Sequence, residues 1–558
     1  MKTSTIIEYG AIDVTAKSDS QLSVSDYQDF SSIDKLKRAN LQEIKYSTLE
    51  KNHFVLDGKS ENMGENIDVA WWSLGMSDEN GEFETPPVMT IDFEQVHSSL
   101  GLTLTFSKYA YCNSLKIQYY DSNNTLLSEE TFAPDNYEYF CEDVVDNYSK
   151  IIITFYSTNI PYRYLKLYRI LYGKGILFEG DTLISANLLE QVSLLSDELS
   201  INTLDFTVYS EDDRFNILNP QGVYSTLQQR QMLNVAKVKN DTIYNMGTFY
   251  IDSWQSKNDN KMQFKGIDLI GLLSKTTFDG GMYSNVTAET LINQIFQSVG
   301  LNSSAYSIQE ELKNILINGY IPVCTHREAL QQVLFTIGAT ANCARTDIVE
   351  IYTVEESQDP NEISKGNVFK GTREIEQGQI INGVQLQTHA YTIDTEQKNL
   401  YQGQLSVGTH KLYFQNPVSN VTCTGATIQS SNANYVIIQV DSAGNVIIKG
   451  YDYIDNTQDI YIENSNLVGN ENSNVLKIDS VYLINNSNVQ SIGQRIINYY
   501  NGKFTTKFRF IQDDEKAGDN VIIEDTYGNL NGFVTSLDID LTGGYVTYGE
   551  VVAKVSDS

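Results

Sequence analysis

The chain has 558 residues, 71 acidic against 39 basic, for a formal net charge of −32. That excess excludes a general nucleic-acid binder, because phosphate is repelled wherever no basic patch intervenes, and no run of Lys or Arg supplies one. The 36 Tyr and 22 Phe beside only 8 Pro exclude a disordered or proline-rich stalk, and the length allows about four domains.

Met1 to Asp13 contains no apolar core of signal-peptide length. Apolar runs such as Ile151-Ile152-Ile153 are strand-sized, far below the ~20 residues a membrane helix needs. A cytoplasmic product without membrane insertion is therefore expected. Cys112, Cys141, Cys324, Cys343 and Cys423 are odd in number and widely spaced, which reads as buried free thiols.

Period-2 alternation dominates in chain order. Leu102, Leu104 and Phe106 alternate with Thr103 and Thr105. Leu204, Phe206 and Val208 do the same, and Phe504, Phe508 and Phe510 share a face. Turns are predicted at Asp78 to Gly81, Asp121 to Asn124, Asp441 to Asn445 (closing a hairpin over 435–450) and Tyr527 to Asn529. Helices are few. One begins after Thr287, with Leu291, Ile292, Ile295, Phe296 and Val299 inward and Gly300 as its stop. The next opens with the capping-box spacing Thr325 to Glu328 and ends at Gly338. A third carries Ile492, Ile496, Ile497 and Tyr500 up to Asn501-Gly502, and a short helical stretch is expected around 227–233. The chain is thus mainly β, of α+β type, and multidomain.

Chemistry is sparse. No phosphate loop, no His-Glu-x-x-His and no nucleophile elbow occurs. The five histidines (His53, His97, His326, His389, His410) are scattered singly. Cys324, His326 and Cys343 could meet around zinc, but a fourth ligand is missing, and His326 can cap its helix or face solvent. Asp513-Asp514 fits a solvated turn better than a glycosidase pair. Asp78 to Gly81 lacks the ligand spacing of a calcium loop. No catalytic residue, metal or cofactor is predicted. Trp71 and Trp72 are neighbours, so in a strand they point to opposite faces. Trp72 is expected to be the more exposed. Beside Tyr137 or Tyr162 it would stack on a sugar ring, or pack against a neighbouring domain.

Ala517-Gly518-Asp519-Asn520-Val521-Ile522-Ile523 and Gly532-Phe533-Val534-Thr535-Ser536-Leu537, running to Gly543-Gly544-Tyr545, resemble the closing strands of phage tail hub proteins. Asn498-Tyr499-Tyr500 is similar to their lead-in helix. Phe249 to Trp254 with Phe264 to Ile270 resembles the first hub barrel. Gly319 to Pro322, Arg327 to Leu330 and Gly338-Ala339 resemble the helical domain that follows. The resemblance covers 174–400 and 490–558, in matching order. Phe30-Ser31-Ser32, Tyr46 to Glu50, Leu56-Asp57-Gly58, Trp72-Ser73 and Pro161 to Lys166 resemble a galactose-binding-like β-sandwich inserted in hub proteins of phages and phage-tail-like bacteriocins of Gram-positive bacteria.

The resemblance implies an N-terminal arm at 1–22, a galactose-binding-like sandwich at 23–173 and a first hub β-barrel at 174–280. It further implies a helical domain at 281–364, a second barrel from 365–400 with 490–558, and a small inserted β domain at 401–489. A non-enzymatic homotrimeric hub at the distal tail is implied. Its partners would be the tail tube protein, the central spike protein, baseplate wedge proteins and the tape measure protein. A carbohydrate-binding adhesin is the alternative. A peptidoglycan hydrolase is less expected, because no peptidase or lysozyme extension precedes Ser558.

Overall fold

A computed structural model describes residues 3–13, 16, 19–28, 31, 36, 50, 70–107, 110–209, 230–239, 242–258, 260–465, 474–501, 503–525 and 528–555. The expectations placed on His53, on 56–58 and on most of 30–32, 46–50 and 227–233 lie outside these residues, as do Gly502 and Tyr527. The fold is mainly β. Among the described residues no helix is long and apolar enough to cross a membrane. The chain forms two compact units, Met1–Thr182 with Gln231–Tyr244, and Leu183–Arg230 with Asn245–Ser558.

The first unit is a β-sandwich. Its strands are β1 (Thr3–Ile12), β2 (Gln21–Val24), β3 (Trp71–Met76), β4 (Val88–Phe106), β5 (Cys112–Tyr120), β6 (Leu126–Phe132), β7 (Glu138–Thr158) and β8 (Tyr164–Glu179). The long strands β4 and β7 pair antiparallel through register shifts between Asp92 and Gly101. Before the shifts, β4 pairs with β2 and β7 with β5, which also carries β6. After them β4 pairs with β8, which also carries β3. Each long strand therefore serves both sheets, and the irregular stretch is the corner. Gly101 permits that corner: φ is +132°, and a Cβ there would lie 2.0 Å from the Cys141 carbonyl oxygen. Leu102, Leu104, Phe106, Ile117, Ile151 and Ile153 fill one shared core, as alternation predicts. Thr103 is buried too, donating its hydroxyl to the Gly173 carbonyl at 2.7 Å. Leu233 lies in the strand Met232–Lys239, opposite Tyr9 of β1, so the helical expectation there is corrected: its alternating Leu233 and Val235 suit a buried strand.

In the second unit, Leu183–Gln191 pairs with Thr203–Tyr209 on one edge and Leu530–Asp540 on the other. Thr203–Tyr209 continues to Lys261–Ile267 and Thr242–Asn258. Leu530–Asp540 continues to Val546–Val555, Phe504–Ile511 and Glu374–Gln377. Two sets of strands are thereby joined in one hydrogen-bonded sheet.

Beside them lie helices Ala288–Ser298 and His326–Ile337. The Thr287 hydroxyl caps the first, and both bonds of the Thr325/Glu328 capping box form on the second. Gly338 ends that helix in the left-handed conformation, φ +80°. Helix Val489–Tyr500 buries Ile492, Ile496 and Ile497 against Gly383–Thr388 and its neighbours.

A small module spans 391–455. Tyr391–Leu405, Gly444–Asp455 and Val418–Thr424 form one of its sheets, and Gly408–Tyr413, Tyr435–Val440 and Thr427–Ser431 form the other. The predicted hairpin over 435–450 is therefore corrected. Its two strands belong to different sheets, joined by an arch at Asp441 to Asn445. Val436, Ile438 and Val440 face Val446 and Ile448 across one core, so the strands stack through side chains instead of pairing through backbone.

Leu104 is fully buried at the sandwich centre. Leu104→Ala should cost about 2–5 kcal/mol, read from urea unfolding, because β4 is pinned on both edges and the cavity has little room to collapse. A cost under about 1 kcal/mol would show that the corner relaxes around the missing methyls.

Candidate functional site

Of the aromatic candidates, Trp71 packs in the sandwich core with its ring 5.3 Å from Phe155, and its indole N–H donates to the Asp26 carbonyl at 3.0 Å. Trp72 turns to the opposite face, as strand geometry demands. It is nevertheless only 3% exposed, which corrects the expectation of an open indole. Tyr164 stacks on it at 6.1 Å and the Lys166 ammonium sits 4.7 Å over the ring, a cation–π contact. Lys166 is wholly buried and reaches Glu50 Oε2 at 2.8 Å, while Glu50 Oε1 accepts the Tyr164 N–H at 2.7 Å. On this face of β3 and β8 the Glu50 carboxylate therefore bridges the Lys166 ammonium and the Tyr164 backbone.

Tyr162 is half-buried in a left-handed turn, φ +60°, and its N–H donates to the Asp78 carbonyl at 3.2 Å. Tyr137 is half-buried at the entrance to β7, where its carbonyl accepts the Phe106 N–H at 2.7 Å. The two tyrosines are thus anchored in separate segments, and the ring stacked on Trp72 is that of Tyr164.

A second polar knot lies in the same unit. His97 is buried on β4, and its Nδ1 and Nε2 lie 2.9 Å from Asp13 Oδ2 and Asp19 Oδ2 respectively. Each ring nitrogen thus faces a carboxylate oxygen, one from either side of the short segment 13–19. The His97 bond and the Gln95 N–H hold the Asp19 carboxyl below its ordinary value. This clamp ties the segment after β1 to the sandwich.

In the second unit, buried polar groups gather where the two strand sets meet. Glu190, 1% exposed, receives Arg345 Nε at 3.0 Å. The Arg345 guanidinium also donates to the carbonyls of Asp514 and Glu515. Asp513 and Asp514 themselves are exposed in that turn. Asp268 is buried, accepts the Asn202 N–H at 2.9 Å, and caps helix Leu269–Leu273 through the Gly271 N–H at 2.8 Å. Burial raises its carboxyl from 3.8 to about 7, against these backbone donors and Arg327. Asn342 spans the junction, donating to the Ala517 carbonyl at 2.6 Å and accepting the Ala344 N–H.

His326 neither caps its helix nor faces solvent. It is buried against Phe278, with Nε2 2.8 Å from the Ser298 hydroxyl. Burial lowers its pKa and raises those of Cys324 (to about 12) and Cys343. Among the described residues no group of three or more His, Cys, Asp or Glu is placed to hold a metal ion. Asp78 Oδ1 accepts the N–H groups of Asn80 and Glu82 at 2.8 and 2.9 Å, closing the turn expected there.

The sequence reading missed Glu50, Lys166, Glu190 and Asp268 as buried groups. For two of them a signal exists. Glu190 shares the inward phase of Leu188 and Val192, and Asp268 precedes the apolar run Leu269-Ile270 as an N-cap would.

Two outcomes are expected. Lys166→Met alone should destabilise the sandwich by about 3–5 kcal/mol by taking the ammonium away from the buried Glu50 carboxylate, and adding Glu50→Leu should recover most of the loss. A double variant as weak as the single one in urea unfolding would contradict this. The raised Asp268 pKa means that the folded state holds its proton more tightly than the unfolded chain. This group should therefore cost stability as pH rises from about 4 to about 7. Asp268→Asn should flatten that part of the curve relative to the parent, measured by thermal melting. Equal slopes would contradict the burial effect.

No protein-family model matches the chain, and no curated protein does. Among solved structures it is similar to the tail protein from Neisseria meningitidis MC58, at 11% identity and TM-score 0.42, covering 67% of this chain and 93% of that one. It is similar to the 43 kDa tail protein of prophage MuSo2 from Shewanella oneidensis, at 11% identity and TM-score 0.41, covering 68% and 95%. It is also similar to the family 32 CBM from C. perfringens NanJ in complex with galactose, at 12% identity and TM-score 0.19, covering 29% and 97%. Tail and baseplate proteins of phages and prophages recur among these solved structures.

Proposed function

We propose that the chain is a structural tail hub without enzymatic activity. It would connect the distal tail tube to the central spike and surrounding baseplate of a phage or a phage-tail-like contractile particle. The observation that carries this reading is the joining of two strand sets through Leu183–Gln191. Force applied to either set passes into the other through backbone hydrogen bonds, and the polar groups at the junction are spent on bracing it. The motifs of 174–400 and 490–558 support the same reading. Under it, 23–173 and 401–489 are outward insertions between the hub domains delimited from the sequence.

The working unit in this proposal is a homotrimer. Edge strand Glu374–Gln377 pairs with Phe504–Ile511 alone among the described residues, all four of its residues are exposed, and Ile375 is 51% exposed. An open edge of this kind invites a further chain. Its partners would be the tube, spike, wedge and tape measure proteins. Light scattering at micromolar concentration should give three times the 62.9 kDa chain mass. A monodisperse monomer that stays monomeric with tube protein present would overturn the hub reading.

A further inference from the structure

A cleft of about 480 Å³ lies between the helical region and the module at 391–455, within the second unit. In a chain of net charge −32, none of the residues lining it is charged. Its polar lining is of amide, hydroxyl and phenol groups, with Tyr283 and Gln294 from the helical region and Ser419, Asn420, Asn432 and Tyr453 from the module, beside apolar residues such as Met282 and Val421.

These groups are set before any ligand arrives. Asn432 donates to the Gly280 carbonyl at 3.0 Å and accepts the N–H groups of Asn434 and Tyr435, so its amide cannot turn. Gly281 holds φ +150°, and a Cβ there would lie 3.6 Å from the Asn432 amide and 3.7 Å from the Tyr283 hydroxyl. The glycine keeps the floor open. Burial raises the Tyr283 phenol, so it stays a neutral hydroxyl. The buried Ser419 hydroxyl has no hydrogen-bond partner among the described residues, and a group left in that state costs free energy until one arrives.

The geometry points to a binding site for a neutral saccharide. Fixed neutral donors and acceptors match sugar hydroxyls, tyrosine rings offer apolar faces to a pyranose, and the volume suits a mono- or disaccharide. A charged ligand would find no counter-ion. The site is separate from Trp71 and Trp72 and does not depend on the hub reading.

The test uses the full chain with galactose, N-acetylglucosamine and lactose as probes, and glucuronic acid as the charged comparison, followed by saturation-transfer NMR and calorimetry. At least one neutral sugar should bind with millimolar affinity or better, and glucuronic acid should not. Ser419→Val and Tyr453→Ala should each weaken binding at least about tenfold, roughly the worth of one lost hydrogen bond or ring contact. Thermal melting of Ser419→Val should show no loss of stability against the parent, because the hydroxyl it removes has no partner among the described residues. Silence from all three neutral sugars, equal binding of glucuronic acid, or binding unchanged in both variants would overturn the assignment.

Discussion

Pairing Leu183–Gln191 with Leu530–Asp540 brings together residues as far apart as Asn187 and Asp538, separated by 351 positions and bonded at 2.6 Å. Loop-closure entropy rises only about 0.6 kcal/mol for each doubling of length, so a long excursion costs little more than a short one. Once this strand pair forms, the helices and the module at 391–455 are carried within a closed loop. Their own cores then need only stabilise themselves. The same contact needs a lock, because Glu190 sits inward in the strand. An unpaired carboxylate there would be costly, and Arg345 removes that cost while its remaining donors hold the Asp514 and Glu515 carbonyls. One ion pair thus links the first strand set, the turn after Thr340–Asn342 and the loop before Asn520–Ile523.

Local chemistry was legible wherever it determined local structure. Thr287, Thr325, Glu328 and Gly338 occupy the cap positions their types suggest, because capping uses atoms within a few residues. The alternation of Leu102, Leu104 and Phe106 likewise places these side chains in the core. What the sequence hid is which surface covers the other face. Trp72 reads as exposed because Ser73 and Leu74 follow it, yet its cover includes Tyr164 and Lys166, nearly a hundred residues away, and Lys166 is itself held by Glu50. The 435–450 segment shows the same limit. Turn residues between two alternating strands suit a hairpin or an arch equally, and only the partners at 408–413 and 391–405 decide between them. His326 is a third case, since its partner Ser298 lies on another helix.

The module at 391–455 is fixed to the helical region by two kinds of contact that differ greatly in worth. Lys411 and the Tyr413 hydroxyl meet the Asp279 carboxylate at 2.6 and 2.8 Å, but Lys411 and Asp279 are each one-third exposed. Such a pair is screened by salt and contributes at most about 1 kcal/mol. Asn434 is buried instead. Its amide donates to the carbonyls of Asp279 and Ile321 at 2.7 and 3.0 Å, and its oxygen accepts the Tyr320 hydroxyl at 2.7 Å. Removing it would leave buried backbone acceptors without a donor, a penalty of about 1–3 kcal/mol for each group. Gly280 makes this approach possible. It holds φ +63°, and a Cβ there would meet the Ile321 carbonyl at 2.1 Å and the Asn434 amide at 2.7 Å. The orientation of the module therefore depends on a buried amide and a glycine, and it should be insensitive to ionic strength. That insensitivity matters for the neutral cleft next to it, whose two walls belong to the two bodies that Asn434 joins.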